Sequence, residues 1–227
     1  MTAVKATPPV TAPVEDYLKV IFELENAAGV AGTNEIAAEL GFAPASVSGM
    51  IRRLAEQGLI THERYRGVRL TKAGRRAALR TIRRHRVIEA YLTKALGYPW
   101  DRVHDEAEQL EHAASDELID RMAAAIGEPA TDPHGAPIPT RDGTIAEDPP
   151  LKGLDVVEVG ARVTVDRVSD RDPEQLRYLA EIGIIPGRAV QVLSRAPFDG
   201  PIELRIGRST KSIGPALARQ ILVTSTP

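Results

Sequence analysis

The acidic stretch VHDEAEQLEHAASDELIDRM, residues 103–122, carries the side chains whose types and spacing are best suited to chemistry. We expect it to form one helix. At about 100° of rotation per residue, four polar side chains fall within a single arc of that helix. They are His104, Glu108, Glu111 and His112. An apolar stripe of Val103, Ala107, Leu110, Ala114 and Leu118 runs beside them, so the polar arc is expected to border a buried face.

Crowded carboxylates repel one another, so some of their pKa values rise and a nearby cation is favoured. Two sources of positive charge are possible: basic side chains of the preceding helix, which would form salt bridges, or a divalent metal ion. Glu108, Glu111 and His112 stand at positions i, i+3 and i+4, which lets three donor groups converge on one point.

Pairs of histidine and glutamate at helical spacing favour the metal ion. His85 and Glu89 are four residues apart on the preceding helix, and so are His104 and Glu108. A single pair of this kind is more often structural, but two pairs on adjacent helices indicate a metal site.

The composition excludes several other kinds of site. The chain has 227 residues, a formal net charge of -2 and no cysteine, which rules out disulfides, thiolate metal sites and cysteine nucleophiles. No run approaches about 18 apolar residues, so no membrane-spanning helix is expected. The opening residues MTAVKATPPVTAPVED lack the apolar core of a signal peptide. We therefore expect a cytoplasmic protein with a flexible tail at residues 1–13.

The first segment, residues 14–73, has the pattern of helix, helix, turn, helix and hairpin. Thr33 or Asn34 is expected to cap the second helix, and residues 45–57 to form the third. Apolar and polar residues alternate around Arg66-Gly67, which indicates a hairpin. This order is typical of a winged helix-turn-helix DNA-binding domain.

The third helix has features of a DNA-reading surface. Its small polar side chains lie on the face away from Val47, Ile51 and Leu54, so the backbone can approach DNA closely. Nearby arginines supply the electrostatic attraction that dominates affinity, although any single one is more often a solvated surface residue. The predicted DNA-binding residues are Ala45, Ser46, Ser48, Gly49, Arg52, Arg53, Arg64 and Arg66.

Three further segments follow. Residues 74–127 predict a second helical unit, which would bury little surface alone and therefore suggests pairing with a second subunit. Residues 128–155 are rich in Pro, Gly and Asp and indicate a linker. Residues 156–227 have short Val- and Ile-rich runs, typical of a small β-barrel, with one helical turn or two from Pro173 to Ile182. The predicted fold class is mainly α with a small β domain.

Several stretches together resemble the diphtheria-toxin-repressor family of metal-dependent transcriptional regulators. They are VEDYLKVIFELE, VSGMIRRLAEQGLITHERYRGVRLTKAGRR, RRHRVIEAYL, VHDEAEQLEHAASDEL and DPHGAPIP. The resemblance spans nearly the whole chain and implies a winged helix-turn-helix domain, a helical metal-binding and dimerisation domain, and a C-terminal SH3-like domain. It also implies a homodimeric repressor of double-stranded operator DNA, with no enzymatic activity, small organic substrate or membrane partner.

The resemblance further implies two metal sites. The first would use one residue early in the first helix and three in the acidic stretch: Asp16, Glu108, Glu111 and His112. The second would use His85, Glu89 and His104, completed from the C-terminal domain by Asp172 and Gln175.

Departures from the family pattern bear on the metal. The iron-sensing branch has sulfur-containing residues where Asp16 and Glu108 stand, whereas two carboxylates suit Mn²⁺. The chain is thus similar to the manganese-transport-regulator branch, although short members of that branch have a glutamate where Lys19 stands. We expect Mn²⁺ as cofactor, with Fe²⁺ as the alternative and Co²⁺, Ni²⁺, Zn²⁺ or Cd²⁺ as surrogates.

The expected function is a manganese-dependent repressor of manganese uptake genes. In it, a metal held between the DNA-binding and dimerisation domains orders the dimer for operator binding. An iron-dependent repressor of the same family is the first alternative. A metal-dependent hydrolase is the second, but the chain has no HExxH arrangement, no nucleophile motif and no phosphate-binding glycine loop.

Overall fold

The computed structural model describes residues 11–63, 67–147 and 149–225, without the side chain of Glu63. The chain forms two compact units. One contains the residues up to Arg83 together with Pro139–Thr144, and the other contains Arg84–Ile138 and Ile145–Pro227. No helix in the described part of the chain is long and apolar enough to cross a membrane.

The first unit begins with three helices and a two-stranded hairpin. Their bounds are α1 Ala12–Ala28, α2 Thr33–Leu40, α3 Pro44–Glu56, β1 Ile60–Glu63 and β2 Gly67–Leu70. Tyr17, Leu18 and Ile21 bury one face of α1, as their helical spacing dictates. The hairpin is antiparallel, with Ile60 opposite Leu70. Helix-turn-helix and hairpin together confirm the predicted winged helix.

In this unit, helices α1 and α2 end at glycines, and neither begins with a hydrogen bond from a capping side chain. Gly29 and Gly41 end α1 and α2 at φ 77° and 66°, in the left-handed region that favours glycine. The predicted cap of α2 is wrong: Gly32 is the N-cap, without a side-chain hydrogen bond, and Thr33 is already helical. The expected tail lies outside the described residues as far as residue 10, and α1 already begins at Ala12.

The helices around the acidic stretch are α4 Lys72–Leu96, α5 Val103–Leu110 and α6 Asp116–Ala125. The prediction of one helix over residues 103–122 is wrong, because Ser115 caps a new helix: its hydroxyl accepts from the Leu118 amide at 3.2 Å. Val103 and Ala107 are buried as expected, but Leu110 and Leu118 are exposed in the single chain.

The C-terminal part is a six-stranded antiparallel sheet with short helices. In chain order it contains β3 Lys152–Gly153, a 3-10 helix Leu154–Val156, β4 Arg162–Val168, α7 Pro173–Ile182, β5 Ala189–Arg195, β6 Ile202–Ile206, β7 Ser209–Ile213, α8 Pro215–Ala218 and β8 Ile221–Ser225. The strand order is β3-β8-β4-β5-β6-β7, and the outer strands of this described sheet do not pair into a closed barrel. The predicted helical segment from Pro173 to Ile182 is confirmed, and it forms one helix of 10 residues.

The first part of the predicted linker is packed rather than loose. Thr131 and Pro137 form an isolated antiparallel bridge, and the His134 carbonyl accepts from the Val168 amide of β4 at 3.0 Å. Gly135 has φ 97°, and a Cβ there would lie 2.0 Å from the Asp166 carbonyl oxygen. Because only glycine allows this approach, the turn around His134 is fixed against β4.

Candidate metal centre

Glu89, on the middle of α4, lies at the centre of several possible metal ligands. Its Oε1 atom is 3.2 Å from Nε2 of His85, one helical turn earlier, and 3.7 Å from Nδ1 of His104 on α5. Nδ1 of His104 is also 3.5 Å from a carboxylate oxygen of Asp170, just after β4. One ligand atom from each of these four residues lies within 4.8 Å of the others.

The buried turn of residues 131–137 adds two more groups to Glu89. Asp132 and His134 offer ligand atoms within 4.8 Å of those of Glu89, and all three residues are buried. Asp132 shapes the turn, because its Oδ1 accepts from the amides of His134 and Ala136 at 2.8 and 2.9 Å. We call the whole group the Glu89 cluster; it consists of His85, Glu89, His104, Asp132, His134 and Asp170.

The tautomer of His134 follows from its neighbours. Its Nε2 lies 2.8 Å from the Trp100 carbonyl oxygen, which can only accept, so Nε2 carries a proton. In the neutral ring Nδ1 then has a lone pair. This atom is buried without a hydrogen-bond partner among the described residues and lies 3.7 Å from Oε1 of Glu89. Because the Nδ1 lone pair and the carboxylate oxygen repel each other, a cation between the two atoms would be favourable.

The buried carboxylate of Glu89 requires a positive charge nearby. Its side chain is 0% exposed, and neither oxygen has a hydrogen-bond partner of good geometry within the described residues. A buried ionised carboxylate is costly unless it is paired or bound to a metal. Burial alone would raise the pKa of Glu89, but hydrogen-bonding and charge interactions with His104 and His85 lower it to about 2. The residues present therefore fit a divalent cation.

The imidazoles provide this charge when they are protonated. The neighbouring carboxylates, that of Asp170 first and then that of Glu89, raise the pKa of His104 to about 10. Burial would raise the pKa of Asp170, but the bond from His104 holds it well below its usual range. Burial and the charge of Glu89 raise the pKa of Asp132 to about 6. A metal ion would compete with these protons, so its uptake would release them.

Part of the predicted first site forms a second group around Glu111, which is fully buried. Nε2 of His112 is 3.4 Å from Oε1 of Glu111, and Nδ1 of His85 is 2.5 Å from Oε2 of Glu111 and 3.7 Å from Glu108. Glu108, Glu111 and His112 are thus brought together, and His85, predicted for the other site, lies between the two groups. We call His85, Glu108, Glu111 and His112 the Glu111 cluster.

The remaining predicted ligands have different placements. Asp16 is half-buried on α1 in the first unit, and its assignment stays a prediction. Asp172 caps α7, with Oδ1 accepting from the Glu174 and Gln175 amides at 2.9 and 3.2 Å. These bonds, the one from Gln175 first, lower its pKa. Asp170, two residues earlier, has a ligand atom within 4.8 Å of those of His85, Glu89 and His104, and the assignment of Asp172 as a ligand stays a prediction.

Gln175 occupies an intermediate position. Its Nε2 donates to Oδ2 of Asp172 at 2.8 Å, while its Oε1 is buried without a hydrogen-bond partner among the described residues. Its assignment as a ligand stays a prediction.

Three cluster residues were missed from the sequence: Asp132, His134 and Asp170. The only signal for the first two was the turn pattern of DPHG, where Pro and Gly flank a histidine two residues after an aspartate. Asp170 had no signal of its own, because it stands two residues before an equally plausible aspartate.

The predicted DNA-reading face is accessible on α3. Val47, Ile51 and Leu54 are buried, whereas the six predicted contact residues on this helix are exposed: Ala45, Ser46, Ser48, Gly49, Arg52 and Arg53. The Ser48 hydroxyl donates to the Pro44 carbonyl at 2.9 Å, which leaves its lone pairs available as acceptors. Arg64 and Arg66 lie outside the described residues.

A winged helix with an exposed reading helix, joined to a helical unit with buried clusters of carboxylate and imidazole, defines a metal-responsive DNA-binding protein. Three family models match: the N-terminal DNA-binding domain of iron-dependent repressors at residues 10–68, their metal-binding and dimerisation domain at 71–140, and the FeoA domain at 152–225. The last match agrees with the predicted SH3-like fold.

Relatives over most of the chain agree. The diphtheria toxin repressor of Corynebacterium diphtheriae is 30% identical over 84% of this chain and 87% of its own length. The iron-dependent repressor IdeR of Mycobacterium tuberculosis (strain H37Rv) is 30% identical over 78% and 82%. A solved manganese-dependent transcriptional repressor in complex with manganese is 44% identical, with a TM-score of 0.85 over 94% of this chain and 100% of its own.

The chain therefore belongs to the diphtheria-toxin-repressor family. It is a transcriptional repressor that depends on a divalent metal, and not an enzyme, as predicted.

Proposed function

We propose that this repressor responds to manganese. The observation that carries the proposal is Glu89, a buried carboxylate that has no well-formed hydrogen bond among the described residues and whose neighbouring candidate ligands are carboxylates and imidazoles. Such donors suit Mn²⁺, whereas thiolates or thioethers favour softer ions. The chain has no cysteine, and the solved manganese-bound relative matches it along 94% of its length.

We propose two metal centres for each chain. The first would use the Glu89 cluster, with His85, Glu89, His104 and Asp170 as donors, because their ligand atoms lie within 4.8 Å of one another, and with Asp132 and His134 beside them. Asp172 and Gln175 stay predicted ligands of this centre. The second would use Glu108, Glu111 and His112 with Asp16, on the strength of the sequence resemblance. At the first centre a divalent cation would neutralise buried carboxylates that the protonated His104 otherwise balances, and at the second it would neutralise the buried Glu111 carboxylate.

The consequence for DNA binding follows from which domains contribute. Asp16 belongs to the helix that opens the DNA-binding domain, while its proposed partners belong to the dimerisation domain. A homodimer must hold two reading helices at the spacing of successive major grooves. Metal binding would raise the share of molecules that meet this condition, and a coupling of about 1–3 kcal/mol is typical of such linkage. We propose operators upstream of manganese uptake genes as the targets.

An iron-dependent repressor remains the second candidate. Two observations favour it: the matching family models are those of iron-dependent repressors, and relatives 30% identical bear that name. Both candidates use the same protein residues and differ in which ion activates DNA binding at its cellular concentration.

Activation by each ion tests the proposal. We expect Mn²⁺ to increase the affinity for an operator by about 5–150-fold, the range typical of allosteric coupling. Fluorescence anisotropy with labelled DNA from a manganese uptake promoter, under anaerobic conditions, would measure it. Equal or stronger activation by Fe²⁺ at matched free concentrations would favour the second candidate, and no response to either ion would contradict both.

Replacing Glu108 with Cys should shift the metal preference. A thiolate in place of a carboxylate favours softer ions, so the variant should need less Fe²⁺ or Zn²⁺ and more Mn²⁺ for half-maximal DNA binding. The same anisotropy titration provides the measurement, with Glu106→Cys as the matched control outside the cluster. Unchanged activation by all three ions would remove Glu108 from the proposed centre.

A further inference from the structure

The C-terminal sheet carries a cavity that belongs to neither metal cluster. Its volume is about 530 Å³, and residues of β4, β5 and β6 line it together with the turn that precedes β5. Three arginines, Arg162, Arg188 and Arg205, are among its lining residues, and no acidic residue is. Small-molecule sites typically have volumes of about 300–1,000 Å³, so the cavity is of suitable size for a small ligand.

The register of the sheet brings two of these arginines into one row. Arg162 on β4 lies opposite Gln191 on β5, and Gln191 lies opposite Arg205 on β6. Directly opposed residues on neighbouring strands have Cβ atoms about 4.5–5.5 Å apart and point to the same face. The side chains of Arg162 and Arg205 therefore leave the sheet on either side of Gln191, on its exposed face.

The third arginine enters from the turn. The Arg188 amide donates to the Ile185 carbonyl at 3.0 Å, and its carbonyl accepts from the Val165 amide of β4 at 2.9 Å. These backbone bonds fix the point from which its side chain leaves, just before β5 and three residues ahead of Gln191. The same turn lines the cavity with Ile185 and Pro186, which add apolar surface beside the charged groups.

The positive charge at this cavity is not balanced by an ion pair among the described residues. Arg162, Arg188 and Arg205 form no side-chain ion pair within the part of the chain that the structure describes. Glu203 is on the same face of β6, but its Oε2 accepts from the Ser194 hydroxyl at 2.8 Å.

Three other arginines of this unit are paired with carboxylates. Arg84, Arg121 and Arg177 each have a carboxylate oxygen within 3.1 Å. Three unpaired arginines at one concave site repel one another, and a bound anion would relieve this repulsion.

We propose that this cavity binds a small organic anion that carries two or more phosphate or carboxylate groups. The planar guanidinium group suits both, since it donates paired hydrogen bonds to their oxygens. Three arginines favour several negative charges over one, and the apolar surface of Ile185 and Pro186 accommodates the uncharged part of the ligand. The site is independent of the metal centres, so it does not rest on the proposed function.

Calorimetric titration of the full-length, metal-free chain tests this site, with citrate, pyrophosphate and inorganic phosphate as probes. We expect one saturable site for each chain, with citrate or pyrophosphate binding at least tenfold more tightly than phosphate. Citrate as the tighter probe would identify a polycarboxylate ligand, and pyrophosphate would identify a phosphorylated one. Absence of saturable binding by both would overturn the proposal.

A matched pair of variants distinguishes specific binding in the cavity from nonspecific attraction of anions to surface arginines. Arg205→Gln should weaken binding of the tighter probe by about tenfold, because it removes one charge-assisted contact. Arg219→Gln removes an exposed arginine outside the cavity and should leave binding unchanged. Equal losses in both variants would mean nonspecific attraction and would overturn the proposal. Both positions are exposed, and thermal unfolding of each variant should match the wild type.

Discussion

Replacing Glu89 with Gln should remove one bound metal ion for each chain. The substitution keeps the shape of the side chain and removes the charge at the centre of the Glu89 cluster. Loss of a supporting group around a metal typically costs about 10–100-fold in affinity, and a direct ligand should cost at least as much. Metal-dependent DNA binding should weaken with it. Calorimetric titration with Mn²⁺ would give both the number of ions and their affinity.

The matched control for this variant is Glu117→Gln on α6. Glu117 is 76% exposed and pairs with Arg121 at 2.9 Å, and exposed pairs of this kind contribute about 0–1 kcal/mol. We expect wild-type metal uptake from it. Circular dichroism would show whether the Glu89→Gln chain is folded. A folded Glu89→Gln chain with wild-type stoichiometry and affinity would exclude Glu89 as a ligand.

Replacing Asp16 with Ala should abolish the response of DNA binding to metal while leaving the dimer intact. The sequence resemblance assigns the Asp16 carboxylate to the same ion as Glu108, Glu111 and His112, and Asp16 is the only donor of this set from the DNA-binding domain. Without it, metal uptake would no longer favour the DNA-binding arrangement. Operator affinity in Mn²⁺ should fall by the coupling factor of about 5–150, to the metal-free value.

Anisotropy titrations would measure this loss, and analytical ultracentrifugation would measure the dimer. Glu23→Ala provides the control, because it removes an exposed carboxylate from the same helix. A full response to Mn²⁺ in the Asp16 variant would remove this residue from the proposed site. Loss of the dimer would show a structural role instead.

Local signals were sufficient for much of the fold. Gly29 and Gly41 ended their helices because the left-handed backbone there favours glycine, and α7 began and ended at the predicted residues. The break between α5 and α6 could not be seen, because residues 103–122 keep helical periodicity and contain neither glycine nor proline. The helix does not continue through Ser115, because the side chain of this residue caps a new helix. Side-chain capping competes with helix continuation, and the spacing of apolar residues does not reveal it.

The candidate site was predictable where its residues share a helix. His85 and Glu89 come together because four residues make about one turn. Asp132 and His134 could not be assigned, since their positions depend on contacts with Trp100 and β4, which are distant in sequence. The sequence did not show which of Asp170 and Asp172 lies beside the histidines. Spacing alone does not reveal which of the two carboxylates caps α7.

His85 has a consequence for how the two proposed ions are taken up. Its Nδ1 faces Glu111, while its Nε2 faces Glu89 and lies 3.2 Å from Nδ1 of His104. The imidazole ring of His85 thus has one nitrogen in each cluster. A rotation of the ring, or a change of charge at one nitrogen, therefore alters the position and the basicity of the other nitrogen. Loading of the two clusters should therefore be cooperative, with a Hill coefficient that differs from one, and the interaction must be reciprocal by thermodynamic necessity.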